Sequence, residues 1–469
     1  MNFAQQKNKI VSKDVYMIIL HVIIGLIAVI FPLFIPILII GVVFSYLFIY
    51  SRNDENKLQT LLFISYISGL ETIYRASGEF FLPYEISKYV QIVFVLLNLF
   101  IVRTRFNSFV GILLLILMLP SLILFPADNY KYFVFNTLGL CSLAFLIAFT
   151  AYQKISFADF TRILKTFLYP CISFVTLITI KTPDFSDIEF SLGANFETTG
   201  GFGANQVATL LGAAICFLII LTDQKRYLGN RLITIGFIIY FTLRALLSFS
   251  RGGVLGMVIA LGLAFILFKK IKQKNLVRLA LIILALTAVF VITNEMTDGL
   301  LLLRYQGETT GTLSGSKDKS IEGLSSGRSS YAEVDMAQFF NNIFLGVGPG
   351  NSQFLRYKYG LYDESAPHTE ATRLLAENGI FGVLINIILV VWPIYIVYKT
   401  KGMELRFIKS TLFIFAYATT FHSAMRTGLT PLFYGLASMN IVPDNFFGDE
   451  NITEKEEPKV LQSVNEAVI

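Results

Sequence analysis

Fourteen apolar stretches, most of them about 17–25 residues long, leave this chain few folds to choose from. They lie near 15–31, 34–50, 58–74, 86–102, 108–125, 132–150, 163–180, 204–222, 232–249, 252–268, 276–293, 379–398, 407–423 and 429–443. A stretch of that length satisfies its own backbone hydrogen bonds as a helix and can cross a hydrocarbon layer. Short connections separate most of them, and Phe31-Pro32 splits the first pair with a tight turn. The fold expected is all-α: a polytopic membrane helix bundle of about 12–14 transmembrane helices. Residues 1–293 hold the first eleven, 294–372 form one large extracytoplasmic loop with short helices, and 373–443 carry the last spans. Residues 444–469 read as an acidic cytoplasmic tail.

Composition excludes the alternatives. Charged residues are 15% of the chain and hydrophobic ones 55%, more apolar surface than a soluble globule can hide. Disorder and fibrous repeats fail on the same numbers. The net charge of +6 needs no nucleic acid, because Lys and Arg hold cytoplasmic loops in place. Cys141, Cys171 and Cys216 each lie in an apolar run, so they read as core residues with no disulfide framework or metal. Lys7, Lys9 and Lys13 precede the first stretch as in a signal peptide, but no small-residue cleavage site follows, and it reads as a retained span.

Charge placement sets the orientation. With the N-terminus inside, 24 of the 38 basic residues fall on the cytoplasmic side. The 79 residues from Asn294 to Thr372 then lie outside, and sixteen of them are charged. A long connection of that kind tends to be functional.

Charges at the outer membrane edge are the best functional pointers. Ser250-Arg251-Gly252-Gly253 sits between two spans, and Arg244 lies two helical turns earlier. Two stacked guanidiniums, with Gly252 and Gly253 admitting a ligand close to the backbone, predict an anion site. Thr199-Gly200-Gly201-Phe202-Gly203-Ala204-Asn205-Gln206 feeds the eighth span, and a Gly-rich turn at a helix start suits phosphate or sugar hydroxyls, with Gly201 and Asn205 as contacts. In the large loop, Gly327-Arg328-Ser329-Ser330 precedes an amphipathic stretch. Ser330 with Glu333 predicts a capping box, and Ala332, Met336, Phe339 and Phe340 predict one apolar face. Arg328 at that helix start adds a second cation. Gly346-Val347-Gly348-Pro349-Gly350 reads as a rigid turn, and a second short helix is expected from about His368 to Asn378-Gly379.

The chain has three histidines. His21 is inside the first span, and His422 lies near the outer end of the thirteenth, four residues from Arg426. His368 falls in a polar loop beside Glu370, Arg373 and Glu377, where it can act as a base or orient a hydroxyl. No Asp-x-Asp pair, His-x-x-x-His or Walker loop occurs, so a metal–diphosphate donor site is not expected. An anionic leaving group would be stabilised by arginines.

The order of these motifs carries a resemblance. A Gly-Gly-Phe-Gly-Ala-Asn-Gln turn is followed by Ser-Arg-Gly-Gly, then a large outer loop with Gly-Arg, Gly-Val-Gly-Pro-Gly and a late His, then Ala-Glu-Asn-Gly-Ile-Phe-Gly entering a span. Over roughly residues 195 to 395 this resembles the bacterial O-antigen ligase and O-antigen polymerase family. The resemblance implies a multi-pass protein of the bacterial inner (cytoplasmic) membrane, with its active site facing the periplasm. It implies glycan transfer without metal or other cofactor. The donor would be a saccharide on undecaprenyl diphosphate and the acceptor a glycan or lipid hydroxyl. Membrane lipids and a chain-length regulator are the other expected partners. By motif, the family's essential arginine falls on Arg251, its loop arginine on Arg328 and its loop histidine on His368. Gly252, Gly253, Gly201, Asn205, Arg244 and Arg373 are the expected substrate contacts. Two departures stand out: His368 is followed by Thr369-Glu370 in place of Asn, and the aromatic after Gly-Arg is Tyr331 in place of Trp.

Polymerisation of repeat units is the leading expectation, with ligation of a finished glycan to lipid A-core or a protein second. A flippase of lipid-linked sugars would place its charges near mid-membrane, and the candidates here gather at the outer edge. An assembly scaffold would need only the loop.

Overall fold

The structure is a computed structural model that describes residues 3–50, 57–79, 81–100, 108–125, 130–269, 273–316, 318, 327–363, 369–422 and 425–444. In chain order the elements are α1 (Phe3–Ile30), α2 (Phe34–Tyr50), α3 (Lys57–Ser77), α4 (Ile86–Phe100), α5 (Phe109–Met118), α6 (Tyr130–Thr150), β1 (Lys154–Ser156) and α7 (Phe157–Lys181). They continue with α8 (Ala204–Asp223), α9 (Arg231–Leu247), α10 (Arg251–Phe268), α11 (Gln273–Glu295), α12 (Leu300–Tyr305), α13 (Thr310–Leu313) and α14 (Arg328–Asn341). The last are α15 (Ser352–Leu355), α16 (Glu370–Lys399), α17 (Met403–Thr419), α18 (Leu429–Ser438) and β2 (Asn440–Val442).

Each expected span but the last falls on helix among its described residues, and the protein is a helical polytopic membrane protein. Among the described residues six helices are long and apolar enough to cross a membrane by length and composition: Lys13–Ile30 of α1, α6, α7, α8, α10 and α16. Phe34–Ile49, Ile86–Phe100, Phe109–Leu124 and Ala280–Glu295 are shorter apolar helices. The core runs through α3, α6, α7, α8 and α18, where both faces of most turns are buried. α3 packs along α7, α8 along α10, and α10 along α17.

The last span departs from expectation. Instead of one helix over 429–443, α18 ends after ten residues at Ser438, and Asn440–Val442 continue extended. Ten residues rise only about 15 Å. All ten are buried, so the chain can afterwards leave the helix without exposing backbone to lipid. β2 pairs in parallel with β1, Lys154 opposite Asn440 and Ser156 opposite Val442. The strand thereby satisfies backbone groups that α18 does not.

α16 is two helices. Gly379 has φ 57° and ψ −134°, a conformation only glycine adopts readily. The segment Glu370–Asn378 folds back against the segment after it, and Asn386 Nδ2 donates to Ala371 O at 3.0 Å, fifteen residues away. Gly382 lies against Leu374 O for the same reason. The short helix expected to end at Asn378-Gly379 is therefore present. The Gly346–Gly350 turn docks on it: Val347 N donates to Ala376 O (2.8 Å) and Gly348 N to Glu377 O (3.1 Å).

α14 differs in two respects from expectation. Its N-cap is Gly327 in a left-handed conformation (φ 79°), without a side-chain cap, so Ser330 lies inside the first turn and the capping box does not form. Its buried side is Val334, Asp335 and Gln338, while Phe340 is exposed. Polar partners explain this. Asp335 accepts from Ser352 Oγ (2.9 Å) and Thr372 Oγ1 (3.0 Å), and Gln338 Nε2 donates to Ser352 O (2.9 Å).

Candidate functional site

The starts of α8 and α10, the end of α17, α12 and α14 meet at one end of the bundle. Between α9 and α10 the chain turns at Ser248-Phe249-Ser250, with Phe249 at φ 54°. A non-glycine residue there costs about 1–2 kcal/mol. The turn restarts the helix at Arg251 in a new direction, so the helical spacing between Arg244 and Arg251 does not hold across it.

The two arginines accordingly do not stack. Arg244 Nη2 donates to Ile178 O (3.1 Å), Thr182 Oγ1 (2.6 Å) and Thr198 O (2.6 Å), tying α9 to α7 and to the 197–199 turn. Arg251 is buried and its Nη1 donates to Arg304 O at 2.9 Å. Gly252 and Gly253 are tight for a reason other than ligand access. A Cβ on Gly252 would sit 2.4 Å from His422 Cγ, and one on Gly253 would sit 2.3 Å from the Ala208 backbone. Protein occupies the space expected for a ligand, and α8 and α10 touch backbone to backbone.

Arg251 does have cationic neighbours, from elements far apart in sequence. Burial pushes the Arg304 guanidinium down to about 10, helped by the charges of Arg251 and Arg328. Arg328, the first residue of α14, is pushed down to about 10 by burial and by Arg251 and Arg426. Burial lowers Arg426 also. Arg304 and Arg328 remain protonated at neutral pH. The Tyr305 hydroxyl is buried beside Arg251 and Arg304, without a hydrogen-bond partner among the described residues. Arg426 also has Glu85 and Glu370 nearby, whereas Arg251, Arg304 and Arg328 gather like charges in partly desolvated surroundings, which favours an anion there.

The remaining expected contacts divide. Gly201 is exposed with φ 81°, and no atom lies within 4 Å of where its Cβ would be. Asn205, on the first turn of α8, accepts from Ser250 Oγ through Oδ1 at 2.7 Å. It lines a cavity of about 120 Å³ with Phe196, Gly203, Gln206, His422 and Arg426. His422 Nε2 lies 2.8 Å from Thr209 Oγ1 and its Nδ1 lies 3.3 Å from Ala418 O, and Thr209 Oγ1 donates to Asn205 O (2.7 Å). Arg373 is buried between Glu370 and Glu377 on its own helix and directs its donors to them. Asn136 Nδ2 donates to Glu377 Oε1 at 2.9 Å, locking this segment to α6. His368 lies outside the described residues.

The sequence alone left Arg304 unremarked and Arg426 mentioned only as a neighbour of His422. Both are charges in connections at the same end as Arg251. Among the described residues, no group of three or more His, Cys, Asp or Glu side chains is placed to hold a metal ion.

Residues 235–387 match the family model described as O-antigen ligase, Wzy_C. The match lies within the 195–395 stretch that carries the resemblance and includes Arg251, Arg304, Arg328 and Arg373. No curated protein matches the chain.

Proposed function

We propose that this chain, whose residues 235–387 form a domain of the O-antigen ligase family, transfers a saccharide from undecaprenyl diphosphate to an acceptor hydroxyl at the periplasmic face of the bacterial inner membrane. Membrane glycan transfer of the ligase or polymerase type is what the family implies. The donor, the face and the residue roles are the proposal. One observation carries it: Arg251, Arg304 and Arg328 come together from three separate elements, Arg251 Nη1 donating to Arg304 O at 2.9 Å and the Arg251 charge adding to burial in lowering both Arg304 and Arg328. That is the electrostatic environment a diphosphate leaving group needs.

In this reading the acceptor oxygen attacks the anomeric carbon from the side opposite the leaving group. The bond from that carbon to the diphosphate oxygen breaks, and the electron pair leaves on the diphosphate. Arg251 and Arg328 meet the growing charge. His368, by resemblance, takes the hydroxyl proton or orients the hydroxyl. The arginines supply the charge that a divalent metal supplies elsewhere, so the reaction runs metal-free. Arg244, through its Nη2, and Arg373, through its pairs with Glu370 and Glu377, hold the scaffold.

Polymerisation of O-antigen or exopolysaccharide repeat units is the first reading, because the polymerases of the resembled family often carry extra spans and the sequence has fourteen apolar stretches. The family model's own name favours the second, ligation to lipid A-core or protein. Purified protein incubated with undecaprenyl-diphosphate repeat units in the presence of a chelator distinguishes them on a gel. A ladder means polymerase, and transfer to added lipid A-core means ligase. No glycosidic bond overturns both, and product only without chelator overturns the metal-free mechanism. Arg251→Ala and Arg328→Ala should each lower turnover by about 10²–10³-fold, and His368→Ala should abolish it, with the protein still inserted. Wild-type turnover in any one removes that residue from the mechanism.

A further inference from the structure

Arg426 sits in the connection between α17 and α18, whose described residues, 420–422 and 425–428, lie outside both helices. Such a connection would ordinarily be loose. Here its backbone groups are held by buried side chains on two sides. Arg75 Nη2 donates to Arg426 O (2.9 Å), Lys88 Nζ to Met425 O (3.0 Å) and Gln91 Nε2 to Gly428 O (2.8 Å). Gly428 N donates to Glu71 Oε2 at 2.8 Å, and Glu370 N donates to Thr420 O at 2.8 Å.

The charges that do this form a network of their own on α3 and the start of α4. Arg75 Nη2 lies 2.5 Å from Glu71 and 3.2 Å from Glu85, and Lys88 pairs with Glu85. Four ionisable groups in a bundle core are costly, and packed apolar side chains would hold the helices at least as well. What apolar side chains could not do is fix the backbone of residues 425–428. Arg75 reaches one more group at the site: its Nη1 donates to Gln206 Oε1 at 2.7 Å, and Gln206 lines the same cavity as Arg426. One buried guanidinium thus sets both walls of that cavity.

We propose that Arg426 is a further substrate-contacting residue, completing the arginine cluster from the α17–α18 side against one phosphate of the diphosphate, and that Arg75 is its positioning residue. The closeness of Arg426 to Arg328 agrees with this placement. The inference rests on the diphosphate reading above.

The test uses the full chain in lipid nanodiscs, with binding of undecaprenyl diphosphate and of undecaprenyl monophosphate measured side by side. Arg426→Ala should weaken the diphosphate roughly tenfold or more and the monophosphate much less, because one charge-assisted contact is lost from one phosphate. Arg75→Lys keeps the charge facing Glu71 and Glu85 but loses the fork to Arg426 O and Gln206. It should show the same diphosphate-selective loss at near wild-type melting temperature. Wild-type diphosphate affinity in Arg426→Ala overturns the proposal. So does an equal loss for both lipids with a lowered melting temperature, which is the mark of a structural role. If Arg251→Ala weakens the diphosphate and Arg426→Ala does not, this inference alone fails. If the wild-type chain does not bind the diphosphate, the proposed function fails with it.

Discussion

At the scale of single residues, the glycines beside Arg251 change meaning once their neighbours are known. In sequence, Arg-Gly-Gly reads as backbone opened for a ligand. In the fold, Gly252 is where the His422 ring rests and Gly253 is where α10 meets α8. The residue types could be read, but the partner could not, because it comes from about 170 positions further along the chain. Gly252→Ala should therefore act on the site through His422, by pushing the ring and with it the connection that carries Arg426. Overpacking of this kind costs about 1–3 kcal/mol. We expect a lowered melting temperature together with reduced transfer. Gly201→Ala, where no atom waits for the new Cβ and only the backbone conformation is strained, should leave transfer near wild type. Equal activity of the two variants would show that the contact with His422 does not matter. Arg304 was illegible for a similar reason: one more charge in a loop of sixteen charges carries no mark of which will turn inward.

At the scale of elements, hydropathy was enough to find the helices and not enough to find their breaks. Apolar runs locate α2, α6, α8 and α10 nearly residue for residue, because each must hide its backbone and its side chains in the same span, whereas α7 begins six residues before its expected start. The break at Gly379 was legible from Asn378-Gly379, a common helix end. That the two halves fold back on each other was not, since the contact from Asn386 to Ala371 depends on ψ at one glycine. The missing capping box on α14 has the same origin: Gly327 reaches a left-handed conformation that starts the helix two residues before Ser330 can cap it. Gly379→Ala should be severe. The new Cβ would lie 2.5–2.6 Å from Ile343 O, Phe344 O and Gly346 N, all backbone, in a conformation alanine does not hold. We expect the Glu370–Asn378 segment to come away from the Gly346–Gly350 turn, which limited proteolysis between α14 and α16 would register as faster cleavage. Unchanged cleavage would mean the docking survives without this glycine.

At the scale of the whole molecule, ion pairs occur at both ends of the bundle, and the site end adds a group of arginines to its pairs. Lys269 pairs with Asp223 at 2.6 Å and with Glu404, and Arg226 pairs with Asp444 at 2.5 Å, at the end away from the site. Those cations meet carboxylates. At the site end the charge of Arg251 adds to burial in lowering Arg304 and Arg328 to about 10, while Arg426 has both Arg75 and the carboxylates of Glu85 and Glu370 nearby. A basic group whose pKa drops on folding carries its charge at a cost in stability at every pH below the folded value. That cost fades only as pH rises through about 10 towards the unfolded value, as the guanidiniums lose their protons. An anion seated among them returns part of the cost, so ligand and fold are thermodynamically linked. Undecaprenyl diphosphate at a hundred times its dissociation constant should add about 2.7 kcal/mol of stability. The rise in melting temperature should be steady across neutral pH and shrink as pH climbs through about 10, because the charges that attract the anion are then being lost. Arg251→Ala should reduce the rise at neutral pH. A rise that is the same in that variant, or that persists undiminished above pH 10, would mean that the lipid tail alone holds the ligand and the arginine cluster serves some other purpose.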